Sequence, residues 1–370
     1  MQNSRDLENM LSRREADIKA FLKAAKWQDA IREAVPGDAS SRRYERLTIG
    51  DEKAVLMDAP QGAEIPNEAE GASIEERKAL GYNATARIAG NNPEAFAVIG
   101  NELSKRGFSA PRIFAAELDK GFMLLEDLGD NLYARVIEKD PSLERKLYEA
   151  AIDTLAAIYR SSFPALGEFG GKTWRIREYD ELALIAETNL CLDWYAKDFD
   201  RDIQGDARAE FYHLFEQSFR HLKAHAPGLA LRDFHAENLF WLPERQAISR
   251  VGLIDFQDGL FVHPAYDLMS LITDIRRDVS PDLKEILISR FCDKAGIIDN
   301  ADFRTAYAVL SVQRGTKLLG FPVRADLKFG KPQYRELLPR VKRHLNEDLG
   351  HPALAEIRKW YAKHLPEVLS

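Results

Sequence analysis

The chain has 370 residues, is 45% hydrophobic and 30% charged, and carries a formal net charge of -7, which is a globular composition with length enough for two lobes around separate cores. That acidity excludes a general nucleic-acid or membrane-surface binder, since phosphate backbones need a basic footprint. Two cysteines, Cys191 and Cys292, without a thiol or His at ligand spacing, exclude a disulfide framework or zinc site.

The first residues hold no apolar core of signal-peptide length, and no run approaches the roughly 18 apolar residues of a membrane span, so a cytoplasmic protein is expected. Leu7, Leu11, Ile18 and Leu22 recur at helical spacing and predict an amphipathic helix leading to Trp27. "GDASSRRYERLTIG" and "KAVLMDA" read as two short strands, the second alternating toward a buried face. Residues 59–92, rich in Gly, Pro, Asn and Glu, read as a surface insertion with one short helix over Ile74 to Leu80. A helix is predicted from Pro93 to Arg106, with Gly107 at its C-cap. "PRIFAAEL" and "GFMLLEDLG" then form a strand pair around the turn "DKG". Beyond Gly129 the texture is helical, over 141–160, 178–198 and 206–225. Two brief β-like runs, "NLFWL" and "RVGLIDF", flank the turn "PERQA", and helices resume after Tyr266. The expected fold class is α+β: a β-rich N-terminal lobe over 1–127, with the insertion at 59–92, and a mainly helical C-terminal lobe over 128–370.

Chemistry concentrates at "LRDFHAENLFWL" and "VGLIDFQDG". Asp233 precedes the hairpin, Asn238 begins its first strand and Asp255 ends its second, so closing the hairpin gathers three oxygen-bearing side chains at one mouth. Phosphoryl transfer needs that set: one carboxylate to orient the acceptor hydroxyl, and an Asn and a second Asp to hold Mg²⁺ against nucleotide phosphates. An Asp-to-Asn offset of five followed by a hydrophobic strand and D-F is the spacing of kinase catalytic loops. Taken singly, each of these residues is a loop cap or turn former; the strand-turn-strand context is what gives the motif meaning.

These segments, with "LIDFQDGLFVHPAYDLMSLI", resemble the aminoglycoside phosphotransferase and choline kinase-like superfamily, which has the two-lobed protein-kinase fold. Within it, "GDASSRRY", "GFMLLEDLGD" and the tail "VLSVQRGTKLLGFPVRADLKFGKPQYRELLPRV" resemble the bacterial anomeric kinases of N-acetylmuramate and N-acetylglucosamine. The resemblance implies an ATP- and Mg²⁺-dependent sugar kinase of peptidoglycan recycling that gives the sugar 1-phosphate. Its implied partner is a small-molecule amino sugar, with no nucleic acid and no membrane; oligomeric state is left open. Asp233 would be the catalytic base, Asn238 and Asp255 the metal ligands, and His235 a loop-structuring residue. Glu126 and Leu128 would offer backbone groups to the adenine, and the loop Gly37–Tyr44, with Ser40, Ser41 and Arg43, would cover the phosphates.

Three positions depart from the pattern. Leu231 stands where these enzymes usually carry His, Gln257 where protein kinases carry the Gly of D-F-G, and Met57 where kinases carry the phosphate-binding Lys. Arg42 or Arg43 is the replacement cation within reach. "CLDWYAKDF" reads either as an amphipathic helix or as acceptor-pocket lining through Glu187, Asp193 and Trp194; Asp258 is a further acceptor-side candidate. Arg314 and Lys317, three apart on one helix face, are either a solvated pair or cations for a substrate carboxylate. The alternatives are a kinase of aminoglycosides or of another small-molecule hydroxyl, and an inactive nucleotide-binding regulator, whose support is the missing Lys.

Overall fold

In the computed structural model of the protein, residues 2–35, 42–60 and 71–370 are described. The chain opens with α1 (Gln2–Ala24), which leads into a five-stranded antiparallel sheet of order β1-β2-β3-β5-β4, formed by β1 (Ile31–Val35), β2 (Arg43–Ile49), β3 (Glu52–Asp58), β4 (Ile113–Glu117) and β5 (Phe122–Glu126). Strand alternation gives the sheet two faces. Leu47, Ala54, Leu56, Phe122 and Leu124 point to one side and are sealed by Ile18, Phe21 and Leu22 of α1; Leu11 is exposed. Met57, Met123 and Leu125 point to the other side and join the main core. The turn between β4 and β5 requires Gly121, at φ +75, because a Cβ there would stand 1.9 Å from the carbonyl oxygen of Ala59.

Between β3 and β5 lie α2 (Ile74–Ala79), α3 (Tyr82–Thr85) and α4 (Pro93–Lys105). Sequence chemistry sets their ends. Ser73 and Glu76 form a capping box on α2, and Asn92 caps α4 by accepting from Glu94 N–H at 2.8 Å, with Pro93 in the first turn.

The reading of 59–92 as a surface insertion is corrected for the described part. Arg77, Ala84, Thr85, Ala86, Ala89 and Asn91 are buried. Arg77 and Arg87 both donate to Asp180, at 2.5 and 2.6 Å. Composition pointed to the surface because the partner, Asp180, lies 103 residues from Arg77.

After β5 the chain is mainly helical: α5 (Tyr133–Lys139), α6 (Glu144–Arg160), α7 (Glu181–Leu190), α8 (Ala196–Asp198), α9 (Gly205–Phe219), α10 (Ala265–Ile272), α11 (Pro281–Ala295), α12 (Ala301–Phe329), α13 (Leu338–Asp348) and α14 (Ala355–His364). Short strand pairs interrupt them: β6 (Leu166–Phe169) with β7 (Lys172–Arg175), β9 (Leu239–Trp241) with β10 (Val251–Leu253), and β8 (Gly228–Ala230) with β11 (Leu260–Val262). The 29-residue α12 runs through the middle of this lobe, and its Gly320 lies so close to the end of α7 that a Cβ would stand 1.9 Å from the carbonyl oxygen of Leu190. Opposite it, residues Cys191–Tyr195 form a π-helical turn between α7 and α8. Both cysteines are buried and free. No helix among the described residues is long and apolar enough to cross a membrane.

Candidate active site

A cleft of about 850 Å³ separates the sheet from the helices, and the β9–β10 hairpin forms part of its floor. The register pairs Leu239 with Leu253, and Ile254 N–H donates to the carbonyl of Asn238 at 3.2 Å. Asn238 and Asp255 are thereby side by side, with Asn238 Nδ2 3.5 Å from Asp255 Oδ2. Asn238 Nδ2 also donates to the main-chain oxygen of Asp233 at 3.0 Å. Asp233, Asn238 and Asp255 all line the cleft.

The loop carrying Asp233 is held from below. Asp267 of α10 accepts the N–H groups of Leu231 and Arg232 at 2.6 and 3.0 Å. Burial pushes its carboxyl up to about 7 even against those two donors. Leu231 fills core space. Arg232 and Asp255 adopt φ of +72° and +59°, left-handed conformations that cost roughly 1–2 kcal/mol for residues with a Cβ and persist only where neighbours enforce them.

Asp233 Oδ1 accepts from Arg314 Nη2 at 3.1 Å. Desolvation pushes its pKa up, but the charges of Arg314, Lys317 and Arg232 outweigh it and hold the carboxyl well below its ordinary range. His235 is buried, and burial together with Arg276 lowers it to about 3. Arg276 Nη1 sits 3.1 Å from His235 Nε2; a guanidinium can only donate, so Nε2 is the acceptor and the proton is on Nδ1. His235 is a neutral brace.

Asp255 Oδ1 accepts from Arg42 Nη2 at 2.8 Å and from Gln257 Nε2 at 2.9 Å. The oxygen of Gln257 is buried without a partner among the described residues. An amide oxygen and a carboxylate beside an open cleft are the hard-oxygen donor set that Mg²⁺ shares with phosphates and water, so these residues fit that ion.

The cations divide by strand alternation. Arg42, at the edge of β2, enters the cleft. Arg43, one residue on, pairs with Asp58 at 2.8 Å beside Arg14 of α1, on the far face of the sheet, so its expected place over the phosphates is corrected. Met57 is fully buried in the core and does not reach the cleft. Ser40 and Ser41 lie outside the described residues. Glu126 and Leu128 line the cleft with Val55, Leu125 and Ile254; the Glu126 carboxylate is held by Arg245 at 2.7 Å and Arg112 at 3.2 Å.

Of the residues expected to meet the acceptor, Asp258, Arg314 and Lys317 line the cleft. Asp258 accepts the Ala89 N–H at 2.6 Å, and burial raises its pKa, with Asp255 adding to the rise. Glu187, Asp193 and Trp194 do not line it. Glu187 is fully buried, accepting from Arg232 at 2.5 Å, from Lys317 at 2.7 Å and from the Tyr179 hydroxyl. Asp193 pairs with Arg208 at 2.9 Å, and Trp194 packs against the core edge. Sequence reasoning missed Arg232 and Asp267. For Asp267 a signal existed, since one acid inside the apolar run "AYDLMSLI" is either unstable or hydrogen-bonded.

A β-sheet lobe and a helical lobe, with an ionised carboxylate beside an Asn–Asp pair in the cleft between them, define the two-lobed kinase-like phosphotransferases. The sequence pattern of the phosphotransferase enzyme family matches residues 32–304, and the chain belongs to that family. A Caulobacter vibrioides protein named N-acetylmuramate/N-acetylglucosamine kinase is 39% identical over 355 residues, 96% of this chain and 98% of that one. A Pseudomonas aeruginosa protein of the same name is 29% identical, covering 89% of this chain and 87% of its own. Among solved structures, a candidate aminoglycoside phosphotransferase from Ralstonia eutropha superposes with a TM-score of 0.60 at 13% identity, covering 92% of this chain and 97% of that one, and it shares the fold.

Proposed function

We propose that the protein is an ATP-dependent kinase that phosphorylates the anomeric hydroxyl of N-acetylmuramate and N-acetylglucosamine, in the recovery of cell-wall amino sugars. The observation that carries the reading is the Asp233 carboxylate, beside the Asn238–Asp255 pair in a cleft whose acceptor side is rich in cations. The near full-length likeness to a kinase of that name supports the choice of sugar. Glu126 and Leu128, which line the cleft with Val55, Leu125 and Ile254, would take the nucleotide base. Asn238 and Asp255 would hold Mg²⁺, which when bound neutralises phosphate charge.

Asp233 orients the acceptor hydroxyl. As the hydroxyl oxygen bonds to the γ-phosphorus, the bridge to the β-phosphate breaks and the hydroxyl proton passes to Asp233. The anomeric hydroxyl is more acidic than the other sugar hydroxyls, so so weak a base is sufficient. The test is a product assay: ATP, Mg²⁺ and each sugar, with the phosphorylated position read by phosphorus and proton NMR. The 1-phosphate is expected. A 6-phosphate would overturn the anomeric assignment, and no turnover of either sugar would overturn the substrate.

A further inference from the structure

The cleft-facing stripe of α12 consists of Arg314, Lys317, Leu318 and Phe321. Arg324 follows three residues after Phe321 and seven after Lys317, so it lies on the same face of α12, one turn beyond the cleft lining. These cations differ in how far they are already neutralised. Arg314 is committed to Asp233, the Tyr266 hydroxyl and the main-chain oxygen of Arg232. Arg232 and Lys317 share one carboxylate, Glu187, so that pair leaves one positive charge in excess, and of the two it is Lys317 that lines the cleft. Arg324 has no carboxylate at ion-pair distance among the described residues; its guanidinium lies 5.5 Å from the ring centre of Tyr82 and 5.3 Å from that of Phe329.

Tyr82 is not a loose surface residue. It opens α3, and that segment is fastened to the catalytic lobe by Arg77 and Arg87 on Asp180, by Arg232 Nη1 donating to the main-chain oxygens of Ala86 and Arg87 at 3.4 Å, and by Asp258 accepting from Ala89. Burial and the Glu187 charge hold the Tyr82 phenol above its ordinary value while Lys317 and Arg324 pull it back; the group is a neutral donor within electrostatic reach of both cations. The loop that orients Asp233 is thus tied to the segment that presents Tyr82.

We propose that Lys317, Arg324 and the Tyr82 hydroxyl form a subsite for an anionic substituent of the acceptor, and that it receives the lactyl carboxylate of N-acetylmuramate. The inference rests on the kinase reading above. The carboxylate is carried on the sugar ring away from the reacting oxygen, so its cation should stand further along α12 than Arg314, which serves Asp233. At 1.5 Å per residue Lys317 is about 4.5 Å and Arg324 about 15 Å along the axis from Arg314, so Lys317 stands nearest the ring and Arg324, with Tyr82, at the outer edge of the subsite. Arg and Tyr together offer charge-assisted and neutral donors to one carboxylate, and N-acetylglucosamine, which lacks that group, makes no use of them.

The experiment compares steady-state kinetics for N-acetylmuramate, its lactyl methyl ester and N-acetylglucosamine, in the full-length wild type and in Arg324→Gln, Arg324→Lys and Tyr82→Phe. In Arg324→Gln the KM for N-acetylmuramate should rise about tenfold or more relative to that for N-acetylglucosamine, with the change in KM rather than kcat, as for an interaction made equally in ground and transition states. Arg324→Lys should recover part of the loss, and the methyl ester should be handled by the wild type as N-acetylglucosamine is. Thermal melting verifies that each variant is folded; if Arg324→Gln is not, the Lys and Phe variants carry the same comparison. Equal losses for all three sugars, a loss confined to kcat, or no loss would overturn the subsite. Wild-type enzyme that turns over none of these sugars would instead overturn the kinase reading itself.

Discussion

The carboxylate of Asp233 takes one hydrogen bond from Arg314 and lies among four positive or polar neighbours that keep it ionised at any physiological pH. Such a group accepts a proton only as the phosphoryl transfer nears completion, which suits a loose transition state in which positioning matters more than deprotonation. Replacing it by Asn keeps the shape and the Arg314 contact but removes the proton acceptor. Asp233→Asn should lower kcat by about 10²- to 10⁴-fold while leaving nucleotide affinity within a few-fold of wild type, measured by turnover and by calorimetry. Asp255 carries a different load, since it accepts from Arg42 and Gln257 and, in the proposed function, would offer the anionic oxygen for the metal. Asp255→Ala should abolish the Mg²⁺-dependent part of ATP binding in a calorimetric titration with and without the ion; unchanged Mg-ATP affinity would remove Asp255 from the metal role. Asp233, Asn238 and Asp255 could be picked out of the sequence because a hairpin brings them together locally. Their supports could not: Arg314 is 81 residues from Asp233 and Arg42 is 213 from Asp255, and no spacing rule reaches so far.

The elements that place these residues were legible where their pattern is local and long. Alternation predicted β2, β3, β4 and β5, and periodicity with caps predicted α4, α6 and α9. The strands β1, β6, β7, β8 and β11 escaped, being three to five residues each, too short for alternation to show, and β8 and β11 are paired with each other across some thirty residues. The stretch "CLDWYAKDF" looked like a continuous helix, yet it is wound as a π turn at Cys191–Tyr195 where α12 approaches. That approach depends on Gly320. A methyl group there would meet the Leu190 carbonyl at a distance no atom tolerates, so Gly320→Ala must push α7 and α12 apart, at a cost of about 1–3 kcal/mol as for other overpacked contacts, read as a lower melting temperature. Because α12 also carries Arg314 and Lys317, kcat/KM should fall in the same variant even at temperatures where it stays folded. The docking of α2 and α3 has a comparable keystone in Asp180, which neutralises Arg77 and Arg87 and caps α7 through the Ala183 N–H at 2.9 Å. Asp180→Ala would remove the one carboxylate that both guanidinium groups share, and a loss of about 2–3 kcal/mol is expected in a denaturant titration; a change below measurement error would show that the segment is held by its other contacts, among them Arg77 on the Thr85 carbonyl and Asp258 on the Ala89 N–H.

Over the whole molecule, acid stability is set by buried groups that cannot follow the solvent pH. Burial holds His263 at about 3 and His344 at about 4, against an ordinary value near 6.5 in the unfolded chain. Below about pH 6.5 the unfolded state binds protons at these positions that the folded state refuses, so each contributes a loss of stability that grows as pH falls toward the folded value. Two buried carboxyls act in the opposite sense. Burial raises Asp267 to about 7 and Asp348 to about 6; the folded state holds their protons where the unfolded state has released them, so their contribution is present below about pH 4 and is lost as pH rises through 6 to 7. The two sets partly offset each other between pH 4 and 6, and a single wild-type curve will not resolve them. A variant does. His263 Nδ1 accepts the Ala265 N–H at 3.2 Å, so its other nitrogen donates to His225 Nδ1 at 3.1 Å, an arrangement that protonation of His263 would break. His263→Gln keeps a donor and an acceptor but cannot titrate. Its stability at pH 7 should be lower, from lost packing, yet its slope of unfolding free energy against pH between 4 and 6 should be shallower than wild type by about one proton, or about 1.4 kcal/mol per pH unit. Urea unfolding at several pH values measures both slopes. Parallel lines for wild type and variant would mean that His263 titrates in the folded protein much as it does in the unfolded chain, and that its burial carries no acid penalty.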